Sequence, residues 1–240
     1  MKSIHVYYGC TDTVLRCLRL DPACHTARRL AGLILRFVAM GKPDAYIHRQ
    51  VRMRAISMHP FRQYRIACDP RFCTSDPQKA KVVLVVFSEF MCPVCSVVLP
   101  WLRRIVATIG PKVALCYKFF PISSHGKVGV LSCSAAAAAG FQGKFWPMHD
   151  ILYKNRRRQA LRHLDGYARA VGLDMKRYRA DRAALATIRM VIQNKRLGWR
   201  VGVRGTPTLF LDGKRYRGVK SRTEIADRIA EELHLVDGGR

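Results

Sequence analysis

The fold is decided by two adjacent stretches of the chain, VVLVVF at residues 82–87 and CPVC at residues 92–95. The first is a run of β-branched and aromatic residues, which predicts a buried strand. Apolar residues then recur at helical spacing from Val94 to Ile109, which predicts an amphipathic helix. A CxxC between a strand and a helix is typical of a redox dithiol. A zinc site would need a second ligand pair at similar spacing, and none follows the first.

The position of the two cysteines predicts their chemistry. Cys92 falls at the N-terminal end of the predicted helix, where free backbone N–H groups and the helix dipole favour a thiolate. Pro93 suits the first helical turn, because its missing N–H is not needed there. Cys95 lies one turn deeper and can close back on Cys92 as the resolving thiol.

A second informative segment is GVRGTPTLFLDGK at residues 202–214, which predicts a turn, a strand and an Asp-Gly hairpin. The sequence between the two segments is mostly helical in pattern. A strand is predicted over 112–120, and four helices are predicted over 131–141, 144–153, 159–171 and 183–201. A turn capped by Asp174 is predicted between the third and the fourth of these helices.

Four blocks of sequence resemble the DsbA family of thiol:disulfide oxidoreductases and occur in the family's order. They are FSEFMCPVC at 87–95, KFFP at 118–121, QGKFWPMHD at 142–150 and VRGTPT at 203–208. The resemblance implies an α/β thioredoxin fold over residues 61–240 with a helical insertion at about 123–200. It also implies a cis bond at Thr206-Pro207, facing the cysteines, although an ordinary trans proline at the start of a strand is the alternative.

The same resemblance implies a function. Cys92 and Cys95 would exchange disulfides with protein or peptide clients and be recycled by a redox partner. Pro93, Val94, Thr206 and Pro207 would support the site. No metal is expected, and no cofactor other than the redox-active disulfide. The family implies a periplasmic or other extracytoplasmic location, but no export signal is visible in the sequence, so a cytoplasmic location stays open.

The chain also departs from the family pattern. Many relatives carry an acidic residue six positions before the first cysteine, where this chain has Val86. Glu89 is nearer the motif and is expected to be exposed. The Pro-Val dipeptide replaces the Pro-His of strongly oxidising members, and Thr206 is more typical of isomerases and reductases. We therefore predict an intermediate reduction potential and leave open whether the reaction is oxidation, reduction or isomerisation.

The remaining cysteines have weaker patterns. Cys116 and Cys133 lie in apolar segments and are interpreted as small buried hydrophobic residues, with a second bond as the alternative. Cys68 and Cys73 bracket a short loop, for which a disulfide, a metal half-site and two free thiols all stay open.

Three further features have no clear functional pattern. Cys10, Cys17 and Cys24 recur every seven residues, but the spacing matches no zinc pattern and is interpreted as coincidence. His149 is expected to pack in a helix and His125 to be solvated.

Residues 1–60 are predicted to form an N-terminal extension with helices over 23–41 and 44–58. Neither helix is long and apolar enough to span a membrane. The formal net charge of +27 is spread along the chain, which favours a solvated basic surface. Contact with an anionic membrane is one alternative, and nucleic-acid binding is less favoured because no recognition motif is present. Two other functions stay open: a basic membrane- or nucleic-acid-binding module on a thioredoxin scaffold, and a glutathione- or peroxide-linked thiol enzyme.

Overall fold

The computed structural model describes residues 13–237, and contacts between residues divide the chain into two compact units. One unit is residues 64–213. The other combines residues 1–63 with residues 214–240. The sequence-based division places a single boundary near residue 60, whereas the contacts group the C-terminal segment with the N-terminal one. The domain assignment itself stays a prediction.

The described elements are ten helices and four strands. The helices are α1 (Val14–Leu20), α2 (His25–Ala39), α3 (Asp44–Met58), α4 (Pro93–Ile109), α5 (Gly126–Gly140), α6 (Phe145–Lys154), α7 (Leu161–Ala170), α8 (Met175–Ala183), α9 (Leu185–Arg200) and α10 (Arg222–Val236). The strands are β1 (Val82–Ser88), β2 (Val113–Phe119), β3 (Thr208–Leu211) and β4 (Lys214–Arg215).

The unit of residues 64–213 is built on a sheet in which β1 lies between β2 and β3. β1 pairs parallel with β2 and antiparallel with β3, so that Val85 lies opposite both Cys116 and Phe210. Helix α4 connects β1 to β2. The residues of β1 are almost all buried, because a strand in the middle of a covered sheet needs apolar side chains on both faces. This is the α/β thioredoxin fold predicted from the sequence.

Helices α5 to α9 lie between β2 and β3 in the chain and form the helical insertion. All five alanines of the run at 135–139 are buried, which is where a small side chain permits close helix packing. The predicted turn at Asp174 is the start of helix α8, whose N-cap is Asp174 accepting the N–H of Arg177. Helix α8 exposes most of its residues and therefore lacks the apolar periodicity on which the helix predictions depend.

The hairpin predicted after β3 forms at Asp212 and Gly213. Both residues have positive φ, at 46° and 77°, which a two-residue turn of type I′ requires. The Asp-Gly pair was therefore a reliable signal.

In the other unit, α2 and α3 agree with the predicted helices, whereas α1 was not predicted. Their apolar faces form a core that includes Leu30, Ile34, Phe37 and Val51. Helix α10 adds buried charges to this unit. Arg54 pairs with Glu231 at 2.8 Å and with Asp227 at 2.7 Å. No helix within residues 13–237 has the length and apolar character needed to cross a bilayer.

Candidate active site

Cys92 lies at the junction between β1 and α4. It is the N-cap residue of α4, and its Sγ accepts a hydrogen bond from the backbone N–H of Cys95 at 3.3 Å. Pro93 occupies the first position of the helix, as the sequence predicts. Both cysteines are buried free thiols, whereas Pro93 and Val94 between them are exposed. The dithiol therefore lies just under an apolar surface.

The surroundings of Cys92 favour its thiolate. A hydrogen bond from the Cys95 thiol has the largest effect and lowers the pKa of Cys92 to about 6, against the opposing effect of burial. The Thr206 side chain and the backbone N–H groups of Cys95 and Val94 add to the lowering. At neutral pH, Cys92 is therefore mostly ionised and nucleophilic.

Cys95 has the opposite character. Burial raises the pKa of Cys95, and the neighbouring Cys92 sulfur raises it further, while Ser88 opposes the shift. The pair thus consists of one thiolate and one retained thiol, which is the asymmetry that an attacking and a resolving cysteine need.

Thr206 and Pro207 face the first cysteine. The Thr206–Pro207 peptide bond is cis, in agreement with the prediction. When Cys92 is protonated, its Sγ donates to the backbone oxygen of Thr206 at 3.4 Å. Residues separated by more than a hundred positions in the sequence are thereby in direct contact.

The expectation that Glu89 is exposed is wrong. Its side chain is fully buried, and Oε1 lies 2.6 Å from Nδ1 of His125. Burial raises the pKa of Glu89 to about 7, the His125 pair opposes this, and the negative charge of Cys92 raises it further. The prediction relied on strand alternation and on the place of Glu89 in the turn, but β1 is buried on both faces and the residues that follow it are buried as well.

His125 was expected to be solvated, and this is also wrong, because it pairs with Glu89 and is only 27% exposed. It lies in a short 3₁₀ turn before α5, and no sequence signal links that turn to the CxxC motif. Glu89 and His125 are thus an ion pair near the dithiol that the sequence did not identify.

A cation also lies next to the active-site turn. Nη1 of Arg156 donates to the backbone oxygen of Met91, the residue before Cys92, at 3.1 Å. Arg156 comes from the loop between α6 and α7 and belongs to the densest basic cluster of the chain. The helical insertion therefore brings positive charge to the site.

Aromatic residues fill the space behind the site. The hydroxyl of Tyr153 contacts Ser88 Oγ at 2.8 Å and the Tyr117 hydroxyl at 3.2 Å, so these buried oxygens satisfy one another. His149 lies edge-on to Phe90 and to both tyrosines, and burial lowers its pKa. It packs in a helix, as expected.

The other cysteines differ in part from the predictions. Cys116 is not simply a buried hydrophobic residue, because it forms a disulfide with Cys73, and a bond between Cys68 and Cys73 is therefore not present. Cys133 is a buried free thiol, as predicted. Cys17 is disulfide-bonded and Cys24 is free, and the interpretation of the seven-residue spacing as coincidence stays a prediction. Cys10 lies outside the described residues.

Comparison with known families agrees with this geometry. A family profile described as thioredoxin matches residues 77–231, which include both cysteines, the helical insertion and the cis-proline. The chain belongs to this thioredoxin family.

Three solved structures show how far the likeness of this thioredoxin-family chain extends. A thioredoxin-like oxidoreductase from Silicibacter pomeroyi is 25% identical with a TM-score of 0.60, over 68% of this chain and 92% of that one. The thiol-disulfide exchange protein α-DsbA2 from Wolbachia pipientis is 15% identical with a TM-score of 0.59, over 76% and 97%. A periplasmic thioredoxin-like protein from Salmonella enterica serovar Typhimurium is 24% identical with a TM-score of 0.55, over 75% and 96%. The predicted resemblance to DsbA-like proteins is confirmed at the level of the fold.

Curated relatives of this thioredoxin-family chain are much longer proteins. The Na⁺/H⁺ antiporter NhaA 1 of Salinispora arenicola is 32% identical over 145 residues, which is 59% of this chain and 22% of the antiporter. The Na⁺/H⁺ antiporter NhaA of Herminiimonas arsenicoxydans is 31% identical over 142 residues, again 59% and 22%. The match thus spans about a fifth of the length of these relatives.

Proposed function

We propose that this protein is a thiol-disulfide oxidoreductase that exchanges disulfides with protein or peptide clients through Cys92 and Cys95. The observation that carries the proposal is the asymmetry of the pair. Cys92 has its pKa lowered to about 6, and Cys95 keeps its proton. An ionised, helix-capping sulfur beside a buried thiol is the arrangement that a two-step exchange requires.

The reaction begins with the Cys92 thiolate. In the reducing direction it attacks one sulfur of a client disulfide, forms a mixed disulfide and releases the other client sulfur as a thiolate. Cys95 then loses its proton to that thiolate and attacks Cys92 Sγ. The second client sulfur leaves as a thiolate and takes a proton from solvent, so the client has two thiols and the enzyme retains a Cys92–Cys95 disulfide. Oxidation of a client is the same sequence in reverse.

The surface around the dithiol is suited to an extended client. Val94 and Val97 expose about half of their surface on the first turns of α4, and Arg156 lies beside Met91. Thr206 and Pro207 would align the client backbone next to Cys92. We propose that clients with an apolar residue and nearby acidic residues are bound best, because apolar contact and charge attraction then act together.

The potential should be intermediate between those of thioredoxin and the strongest oxidants. A thiolate with a pKa of about 6 is stabilised relative to an ordinary thiol, but less than the most acidic helix-start cysteines, which reach about 3.5. A redox partner must recycle the pair after each turnover. We propose an extracytoplasmic location, which the likeness to a periplasmic thioredoxin-like protein supports.

The proposal is tested by assaying insulin reduction and oxidative refolding of a reduced client with the wild type and with Cys92→Ser. The wild type should catalyse at least one reaction and Cys92→Ser neither, because the serine hydroxyl is not ionised at neutral pH. Equal rates for the two proteins would refute the assignment. Turnover of glutathione or peroxide alone, without any protein-disulfide activity, would instead indicate the small-thiol or peroxidase alternative.

A further inference from the structure

Outside the Cys92–Cys95 pair, a second group of sulfur atoms lies in the unit of residues 64–213. Cys73 and Cys116 form a disulfide, and the free thiol of Cys68 lies beside it. The three Sγ atoms all lie within 4.8 Å of one another. Cys68, Cys73 and Cys116 are called the sulfur cluster below. Its three members make up one thiol and one disulfide, which is the combination that thiol-disulfide exchange needs.

The sulfur cluster is assembled by the fold. Cys68 and Cys73 flank a 3₁₀ turn over Pro70–Phe72, which turns the chain back on itself. Cys73 then forms an antiparallel bridge with Cys116 of β2, which is 43 residues further along the chain. A loop that carries one free and one bonded cysteine is thereby held against the sheet.

The members of the sulfur cluster differ in their access to solvent. Cys73 is 8% exposed and Cys116 is 1% exposed, so a thiol from solution has little access to their bond. Cys68 is half-buried and lines a cleft of about 380 Å³ together with Tyr64, Gln78 and Asp212. A cleft of this size accommodates a small organic molecule. Cys68 is therefore the member of the sulfur cluster that is most accessible to such a molecule.

A cation lies beside the cluster. Lys118 follows Cys116 by two residues and therefore lies on the same face of β2, where it is 8% exposed. Burial raises the pKa of the Cys68 thiol, and Lys118 acts against that effect. Burial in turn lowers the pKa of Lys118, while Cys68 and Asp69 oppose the lowering. The cation would stabilise a thiolate on Cys68 as it forms.

We propose that the sulfur cluster is a second thiol-disulfide exchange site, in which Cys68 makes the buried Cys73–Cys116 bond exchangeable with low-molecular-weight thiols in the cleft. Cys68 loses its proton and attacks Cys73 Sγ. A Cys68–Cys73 bond forms, and Cys116 leaves as a thiolate that takes up the proton. This step moves a disulfide without net oxidation or reduction.

In the second step, the Cys68–Cys73 bond exchanges with small thiols from solution. A small thiol in the cleft attacks Cys68 Sγ, forms a mixed disulfide with it and releases Cys73 as a thiol. A second small thiol then attacks the mixed disulfide, frees Cys68 and leaves as half of a small-molecule disulfide. Two small thiols are oxidised, and the Cys73–Cys116 disulfide is reduced, so electrons and protons balance.

The test measures how fast reduced glutathione opens the Cys73–Cys116 bond. The starting protein carries Cys92→Ser and Cys95→Ser, so that the proposed active site is inactive. Samples are quenched with acid and alkylated, and the cysteine pairing is mapped by mass spectrometry. Adding Cys68→Ser should slow the opening by about tenfold or more, because the accessible sulfur is then missing. Adding Cys24→Ser instead, which removes a half-buried free thiol in the other unit, should leave the rate unchanged.

An unchanged rate in the Cys68→Ser protein, with the same urea unfolding midpoint, would overturn the proposal. A second variant tests the first step by itself. When Cys116→Ser is added to the protein that lacks Cys92 and Cys95, that protein should form a Cys68–Cys73 disulfide on equilibration with glutathione disulfide. Recovery of Cys68 and Cys73 as two alkylated thiols would show that they cannot pair and would also overturn it. Because both proteins lack Cys92 and Cys95, neither result depends on the proposed function of that pair.

Discussion

The two groups of sulfur atoms in residues 64–213 differ in how they are held. Cys92 and Cys95 are three residues apart, and one helix start positions both of them. In the sulfur cluster, a loop and a strand 43 residues apart have to meet. The Cys95 thiol and, to a smaller extent, the backbone N–H groups of the helix start lower the pKa of Cys92, whereas burial raises that of Cys68. Groups close in sequence therefore contribute most to a reactive thiolate, and tertiary packing produces a protected thiol.

The largest expected effect tests whether Cys92 is the attacking cysteine and Cys95 the resolving one. Cys95→Ser should accumulate mixed disulfides between Cys92 and its clients, because no second thiol is left to release them. Non-reducing electrophoresis after incubation with a disulfide-containing client would show the adducts. Cys133→Ser is a suitable control, since Cys133 is also a buried free thiol. Adducts in the control but not in Cys95→Ser would contradict the assigned roles.

The second prediction concerns how much the Cys73–Cys116 disulfide contributes to the free energy of unfolding. Replacing both Cys73 and Cys116 by alanine should lower the free energy of unfolding by about 2–4 kcal/mol, because the bond closes a long loop in the unfolded chain. Urea unfolding monitored by circular dichroism would measure the change. The comparison predicts a smaller loss for the double change of Cys92 and Cys95 to alanine in the reduced protein, because these two thiols are free and close no loop. A larger loss there would reverse the contrast between the two groups.

The third prediction is a pH dependence that separates Cys92 from Cys68. With its pKa at about 6, Cys92 should react with iodoacetamide at a nearly constant rate above pH 7 and about tenfold more slowly for each unit below pH 6. Cys68, whose pKa is raised, should still be accelerating above pH 8. Alkylation followed by peptide mapping gives both profiles in one experiment. A common midpoint for the two cysteines would show that their surroundings do not differ as described.

The fourth prediction is a smaller effect, a shift in the pKa of Cys92 and in the reduction potential of the Cys92–Cys95 pair. The Cys92 thiolate raises the pKa of the buried Glu89 carboxyl. Because repulsion between two like charges acts on both of them, Glu89→Gln should lower the pKa of Cys92. A lower thiol pKa makes the disulfide easier to reduce, by about 30 mV for each full unit. The ultraviolet absorbance of the thiolate and a glutathione redox titration would measure the two quantities. Asp165→Asn, in the ion pair with Arg179, is the matched control and should change neither.

The smallest expected effect concerns a cysteine outside both groups. Cys24 is the N-cap of α2 and makes no capping hydrogen bond through its side chain. Cys24→Ser should raise the free energy of unfolding by about 0.5 kcal/mol, because serine is a favoured N-cap residue. Urea unfolding would detect this change as a higher midpoint. A clear loss of stability would mean that the sulfur makes an unrecognised packing contact.

The site was predictable wherever its geometry is local. The apolar run of β1, the CxxC at the start of α4 and the Asp-Gly turn each contain their structural reason within a few residues. The Thr206–Pro207 bond was predicted from the family resemblance. Helix α8 was missed because its polar residues lack a periodic apolar face. Glu89 was misplaced because the sequence does not show that the turn after β1 is covered by the rest of the fold.

The amino-acid sequence by itself determined the strand, the helix start and the two cysteines that share it, since a helix dipole and free N–H groups act on the residues next to them. Only the tertiary structure decided that His125 pairs with Glu89 and that Cys73 bonds to Cys116 rather than to Cys68. These partners are distant in the chain, and a sulfur or a carboxylate interacts with whatever lies within a few ångströms of it, regardless of sequence order.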